Sequence, residues 1–217
     1  MPTSCQHTVD CPPRTVWFDP KRCTDILLLL VLAPLLLPLG LGVAGVLALQ
    51  GAPVLHAQWR VGRHGRMFRL WKFRTMHPGA EAALPVFLAE NGRMAHLWRR
   101  HRKLPDDPRV TSLGRLLRRY SLDELPQLWN VLIGEMSLVG PRPVPWDELY
   151  AHYGTAMPGY LSCRPGLSGL WQVSGRNRLP YAQRVELDCY YVRNHSLGLD
   201  LVIILRTVGS VLCGTGC

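Results

Sequence analysis

From Ile26 to Leu49 the chain carries no charged residue and is built almost wholly of Leu, Val, Ala, Gly and Pro. At about 1.5 Å per residue a straight helix of this length reaches roughly 36 Å, enough for a hydrocarbon core of about 30 Å. The run belongs in lipid. A cleavable signal peptide is the poorer reading, because Lys21 is late for a basic leader and no small-residue cleavage site precedes Arg60. Pro34 lacks an amide proton and disfavours helical geometry at Ala33, so a break is expected there, with Pro38 a second weak point one turn later. Basic residues flank both ends, Lys21 and Arg22 before the run and Arg60, Arg63, Arg66, Arg69 and Lys72 after it. Positive flanks favour the cytoplasmic side. A re-entrant helix over residues 20–50 satisfies both observations; a simple span is the competing reading, since proline kinks also occur in spanning helices.

The chain of 217 residues suits one further compact domain, over 51–217, with a tail over 1–19. Its 25 Lys and Arg against 15 Asp and Glu give a net charge of +10, which calls for an anionic partner: phosphate, nucleic acid or anionic lipid. The seven cysteines are scattered, with no Cys-x-x-Cys pair, so they read as mostly reduced and cytosol-facing rather than as a zinc site or redox motif.

Val61 to Met76 alternates apolar and charged residues around a Gly-containing turn and predicts a short β-hairpin. Its arginines suit a solvated face or a stripe along anionic headgroups. Residues 79–104 look helical. Leu113, Leu116, Leu117 and Tyr120 then recur at helical spacing opposite Arg115, Arg118 and Arg119, which predicts a basic amphipathic helix along the membrane surface. Next, Ser121 and Glu124 have the spacing of a capping box, so a new helix is expected to start at Ser121 and continue through Leu128, Val131 and Leu132. The apolar C-terminal run from Leu197 to Leu212 holds Asp200 and Arg206 and is short for a span, so it is expected to pack on the domain or lie in the interface.

Asp123 and Glu124 are, on the plainest view, first-turn acids complementing a helix dipole. The alternative is chemical: a helix N-terminus keeps Asp123 ionised and draws phosphate to the same place, making the carboxylate a nucleophile. Such chemistry needs cations against a diphosphate. Arg142, between Pro141 and Pro143, offers a rigidly presented guanidinium. The Gly-rich loop Arg164–Asn177 suits backbone approach to a ligand, and within it Trp171 fits base stacking or core packing equally.

The segments Lys72–Met76, Asp107–Thr111, Ser121–Gln127, Gly134–Pro143 and Arg164–Asn177 occur in order, and together they closely resemble the bacterial sugar transferases, the monotopic phosphoglycosyl transferases. The likeness extends from about Lys21 to about Leu212 and lacks the multi-span N-terminal region of larger relatives. It implies transfer of a hexose-1-phosphate from a UDP-sugar to undecaprenyl or another polyprenyl phosphate, with release of UMP. By position it implies Asp123 as nucleophile, a covalent phosphosugar intermediate and ping-pong kinetics. Glu124 completes the dyad, and the two carboxylates would hold Mg2+. Arg142 would hold phosphate, with Arg109, Lys72 and Arg74 as further cations, and Arg164, Trp171 and Arg176 would line the nucleotide-sugar loop.

The implied fold is α+β and mainly helical: a re-entrant membrane helix, interfacial amphipathic helices and a small β-hairpin. The implied place is the bacterial inner membrane, with the catalytic domain on its cytoplasmic face. Ala33-Pro34 stands where relatives have Ser-Pro, and the Ser196–Asp200 segment lacks a Trp that relatives often carry near Gly198. No recognised DNA- or RNA-reading motif is present, so nucleic acid is not an expected partner. A non-catalytic membrane scaffold would share the apolar run and the basic helix but gives no reason for Asp123 and Glu124 beside Arg142. The sugar and the oligomeric state are not legible.

Overall fold

The computed structural model describes residues 19–51, 53–101, 104 and 107–214, so nearly all of the tail, with Cys5, Cys11 and Cys217, lies outside the described residues. The fold is α+β and mainly helical. Helix α1 (Pro20–Ala48) is followed by an antiparallel hairpin, β1 (Leu55–Val61) and β2 (Met67–Phe73), then by α2 (Ala80–Glu90), α3 (Gly92–His101) and α4 (Ser112–Arg119). After α5 (Gln127–Ile133) come β3 (Ser137–Val139), α6 (Trp146–His152), α7 (Met157–Ser162), β4 (Gly166–Ser168), α8 (Leu170–Val173), α9 (Tyr181–Asn194) and α10 (Leu197–Leu212). No disulfide joins the four described cysteines.

Helix α1 is long and apolar enough to cross a membrane. Asp19 caps it, its carboxylate accepting from the Arg22 amide. The expected break at Ala33-Pro34 is absent: the helix continues through Pro34 and Pro38. Each proline removes one donor and crowds one carbonyl, which bends a helix without ending it when the turns on either side are intact. Leu29, near one end, joins the core with Phe68, Leu70, Val131 and Met136, while Leu47, near the other, packs with Phe73 and Leu117. Between them no residue is buried. The domain therefore covers the helix near both ends and leaves its middle exposed.

Polar contacts fix the near end. Lys21 Nζ donates to Asp200 Oδ2 and to Tyr191 OH, joining α1 to α10 and α9. Arg22 donates to the carbonyls of Val131, which also accepts from the Gly134 amide, and Leu132, at the end of α5. Arg164 bridges Asp19 and the Gly134 carbonyl.

The hairpin begins at Leu55, six residues before the alternation read from the sequence, and turns through Arg63–Gly65. Its register pairs His56 with Lys72, Gln58 with Leu70 and Arg60 with Phe68, so these six share one face. On α4, Thr111 accepts from the Gly114 amide, Leu117 is buried and Leu116 is exposed. A lipid-facing helix leaves such an apolar residue outward. Helix α10 packs through Ile203 and exposes Leu201, Leu205, Val208 and Leu212. The sequence did not suggest the second sheet, in which β3 and β4 pair in parallel, Ser137 with Gly166 and Val139 with Ser168.

Candidate active site

One face of the hairpin forms a wall of a cleft: Gln58, Arg60, Leu70 and Lys72 line it together with Glu124, Gln127, Arg142, Gly166 and Gln172. The dyad reaches this wall on a 3-10 turn, Leu122–Glu124, that follows Ser121 in the left-handed region at φ 55°. The expected capping box is not formed. Ser121 makes no side-chain cap, and α5 starts only after Pro126, because a positive φ at Ser121 and the proline five residues on suit a tight turn better than a helical start. The expected effect of a helix N-terminus on Asp123 falls with it.

A lysine does the electrostatic work instead. Lys72 Nζ donates to Glu124 Oε1 at 2.8 Å and lies 4.0 Å from Asp123 Oδ2. Burial pushes the Asp123 carboxyl above the usual range and neighbouring Glu124 adds to the rise, while Lys72 and Arg118 oppose it. Burial also works to raise Glu124, but Lys72, Arg142 and Arg176 outweigh it and hold that carboxyl below its usual value. One member of the dyad is thus biased towards its proton and the other towards ionisation. Behind the wall, buried Asn130 fixes α5 to β2, donating to the Arg69 carbonyl and Glu135 and accepting from the Trp71 amide.

Arg142 enters from a loop that the second sheet holds. Gly140 N donates to Ser168 O, and Gly166 N donates to Pro141 O. Tyr160 OH accepts from the Val144 amide and shares its one proton between the Val61 and Arg142 carbonyls, which ties the hairpin to the loop. Buried Asp188 accepts from Tyr153 OH and lies beside the Arg142 backbone. The Arg142 guanidinium lies over the Trp171 ring, 5.7 Å from its centroid, and Arg184 lies over the same ring at 5.0 Å.

Asp123, Glu124, Lys72 and Arg142 therefore meet at one place. Arg176 donates to the Gln172 carbonyl and lies close enough to lower Glu124. Other residues named from the sequence go elsewhere. Arg109 is buried in a bidentate pair with Asp107, and Arg164 is spent on Asp19 and Gly134. Arg74 does not line the cleft; its amide donates to Val54 and its Nε is buried without a partner. Trp171 is buried beneath its two arginines rather than offering an open stacking face.

Among the described residues no group of three or more His, Cys, Asp and Glu side chains gathers as a metal cage. The dyad alone offers two carboxylates. That set fits a magnesium ion, which binds through one or two carboxylates and takes its remaining ligands from substrate phosphates and water.

The family model for bacterial sugar transferases matches residues 16–214. The chain belongs to the bacterial sugar transferase family. This transferase is 47% identical over 197 residues to the exopolysaccharide production protein ExoY of Sinorhizobium fredii, covering 90% of this chain and 87% of the relative. It is 44% identical over 196 residues to the undecaprenyl-phosphate galactose phosphotransferase of Salmonella typhimurium, covering 88% of this chain and 40% of that longer protein. With the UDP-N-acetylgalactosamine-undecaprenyl-phosphate N-acetylgalactosaminephosphotransferase of Aeromonas hydrophila it shares 35% identity over 215 residues, 94% of this chain and 46% of the relative.

Sequence reasoning missed Gln58, Arg60 and Gln127 in the transferase's cleft. In the sequence Arg60 reads only as a flank of the apolar run. The period-2 alternation that puts Lys72 on one face carries Arg60 to the same face once the hairpin register is known, but the register depends on where the turn falls.

Proposed function

We propose that this transferase moves a hexose-1-phosphate from a UDP-sugar to a polyprenyl phosphate and releases UMP, with Asp123 as the nucleophile. The observation that carries this reading is the placement of Lys72 against both carboxylates in a cleft that Arg142 also lines. A carboxylate attacks a diphosphate only where cations offset the repulsion, and this cleft supplies them in fixed positions. The names of the Salmonella and Aeromonas relatives, which carry undecaprenyl phosphate and a sugar phosphate, support the same choice of substrates.

In the first half-reaction an Asp123 oxygen attacks the phosphorus that bears the sugar. The bond from that phosphorus to the bridging oxygen breaks, and UMP leaves with the oxygen. In the second, a polyprenyl phosphate oxygen attacks the same phosphorus, the bond to Asp123 breaks, and the carboxylate is restored. The sugar's anomeric bond stays intact throughout. Lys72 steadies the dyad and Arg142 holds phosphate oxygens. Asp123 and Glu124 would hold a magnesium ion beside the diphosphate, where it would add charge neutralisation.

Two substrates of such different polarity imply a site at a membrane surface. Packing of the domain on α1 near both Leu29 and Leu47 favours a helix whose two ends lie on one side of the membrane, a re-entrant segment over 20–50, with the domain over 51–217 on the cytoplasmic face where nucleotide sugars are made. The name of the ExoY relative supports a role in exopolysaccharide production. UMP release from a panel of UDP-sugars, measured with detergent-purified protein, undecaprenyl phosphate and magnesium, tests the proposal. Release by the wild type and none by Asp123→Asn is expected; full activity in Asp123→Asn refutes the assigned nucleophile.

A further inference from the structure

The hairpin register separates two kinds of cation in the cleft. Lys72 is in the row paired with His56, and Arg60 is two rows further along, paired with Phe68. At about 3.4 Å per residue these rows are roughly 14 Å apart. Lys72 is committed to the dyad. Arg60 has only neutral acceptors, donating to the Trp59 carbonyl and to Gln58 Oε1, and it lines the same cleft as Arg142.

Neither Arg60 nor Arg142 forms a salt bridge among the described residues. Burial first, and the charge of Arg142 second, weaken Arg60's hold on its proton, while Glu148 and Asp147 act on it only from a distance. Holding two guanidiniums together in a partly buried cleft is costly unless an anion comes between them. A second observation points to an oxygen-rich ligand. Gln127 is 2% exposed, lines the cleft, and has an Nε2 that donates to nothing, although buried amide donors normally find an acceptor.

We propose that Arg60 and Arg142 form one phosphate subsite used twice in each turnover, first by the departing UMP and then by the incoming polyprenyl phosphate. This rests on the transfer reading above. In-line displacement puts the leaving oxygen on the face of phosphorus opposite the attacking one. UMP therefore departs opposite Asp123, and polyprenyl phosphate, which must displace Asp123, attacks from that same side. Both present a terminal phosphate, which one pair of guanidiniums recognises whether a uridine or a lipid is attached.

The test uses the full-length protein in detergent, with UMP as an equilibrium-binding probe and undecaprenyl phosphate as acceptor. Arg60→Gln is expected to weaken UMP binding at least tenfold and to raise the KM for undecaprenyl phosphate by a similar factor, with Arg60→Lys between it and wild type. In wild type, UMP should inhibit competitively against undecaprenyl phosphate, a readout that needs no variant to fold. UMP affinity within twofold of wild type in folded Arg60→Gln, a change in only one of the two ligands, or non-competitive inhibition overturns the shared subsite while leaving the transferase reading intact. A wild type that binds UMP but never releases it from any UDP-sugar refutes the transfer reading and, with it, the double use.

Discussion

Lys72 Nζ reaches Glu124 Oε1 at 2.8 Å while staying 4.0 Å from Asp123 Oδ2, so the one lysine bonds the carboxylate that is not the proposed nucleophile. This leaves Asp123 beside a cation without binding up its oxygen. Glu124 and Lys72 largely cancel as a pair, and the field at Asp123 depends on the balance between them.

Replacing Lys72 by Met is expected to lower the rate of UMP release by about 10²–10³-fold, the range for losing a preorganised charge at a reacting centre. The pH dependence should move as well. The proposed nucleophile Asp123 has to attack as the carboxylate, so the rate is expected to fall as pH drops through its raised pKa, and removing a cation that lowers that pKa should shift the acid limb to higher pH. Initial rates from pH 5 to 9 check both expectations, and an acid limb that stays in place removes Lys72 from control of the dyad.

Asp188 is buried, and that burial pushes its pKa up to about 7 despite the hydrogen bond from Tyr153 and the nearby Arg142. A carboxyl whose folded pKa is above its unfolded value of 3.8 contributes stability that is complete below the unfolded pKa and is lost as pH rises through the folded one. The loss amounts to at most about 1.4 kcal/mol per pH unit. Thermal unfolding midpoints of the wild type should therefore decline from pH 5 towards pH 7 more steeply than those of Asp188→Asn, which has no charge to bury. Parallel curves for the two proteins would remove Asp188 as the source.

Much of the fold is legible in the sequence, because its signals are local. The charge-free run gave α1, the apolar spacing of Leu113 and Leu117 gave α4, and alternation gave the hairpin. The dyad and Arg142 are reached through motif likeness, and the structure brings Glu124 and Arg142 to one cleft, with Asp123 buried beside Lys72. What could not be read depends on register or on competition between neighbours. Arg109 and Arg164 resemble phosphate ligands in sequence, yet each finds an acid, Asp107 and Asp19, that no spacing rule announces. The Ser121 capping box failed because its spacing permits a cap without requiring one, and the turn at Pro126 won. The β3–β4 pair is two short segments far apart in sequence, which local pattern cannot join.

Asn130 is fully buried and uses both ends of its amide to fix α5 against β2, the strand that carries Lys72. Asn130→Leu leaves the part-buried Trp71 amide and Arg69 carbonyl without this partner, at up to about 1–3 kcal/mol where water does not replace it. A lower unfolding midpoint is expected, together with a fall in kcat, since the dyad's position against Lys72 depends on this contact. A destabilised variant with unchanged kcat would show that the 3-10 turn holds its geometry without α5.

The closest backbone approach near Arg142 gives the sharpest steric prediction. A Cβ added at Gly166 would lie 2.0 Å from Gly140 N and 2.4 Å from Ser168 O, and backbone atoms cannot yield as the end of a flexible side chain can. Gly166→Ala must therefore open the β3–β4 pair, and Gly140, Pro141 and Arg142 move with it. A lower unfolding midpoint and weaker UMP binding are expected together, because the same displacement causes both. Gly92→Ala is the control: its added Cβ meets nothing within 4 Å, and at the start of α3 alanine favours the helix. Should Gly166→Ala match Gly92→Ala in both measurements, the parallel pair does not hold the Arg142 loop, and the rigidity of that loop comes from Pro141 and Pro143 with Tyr160 alone.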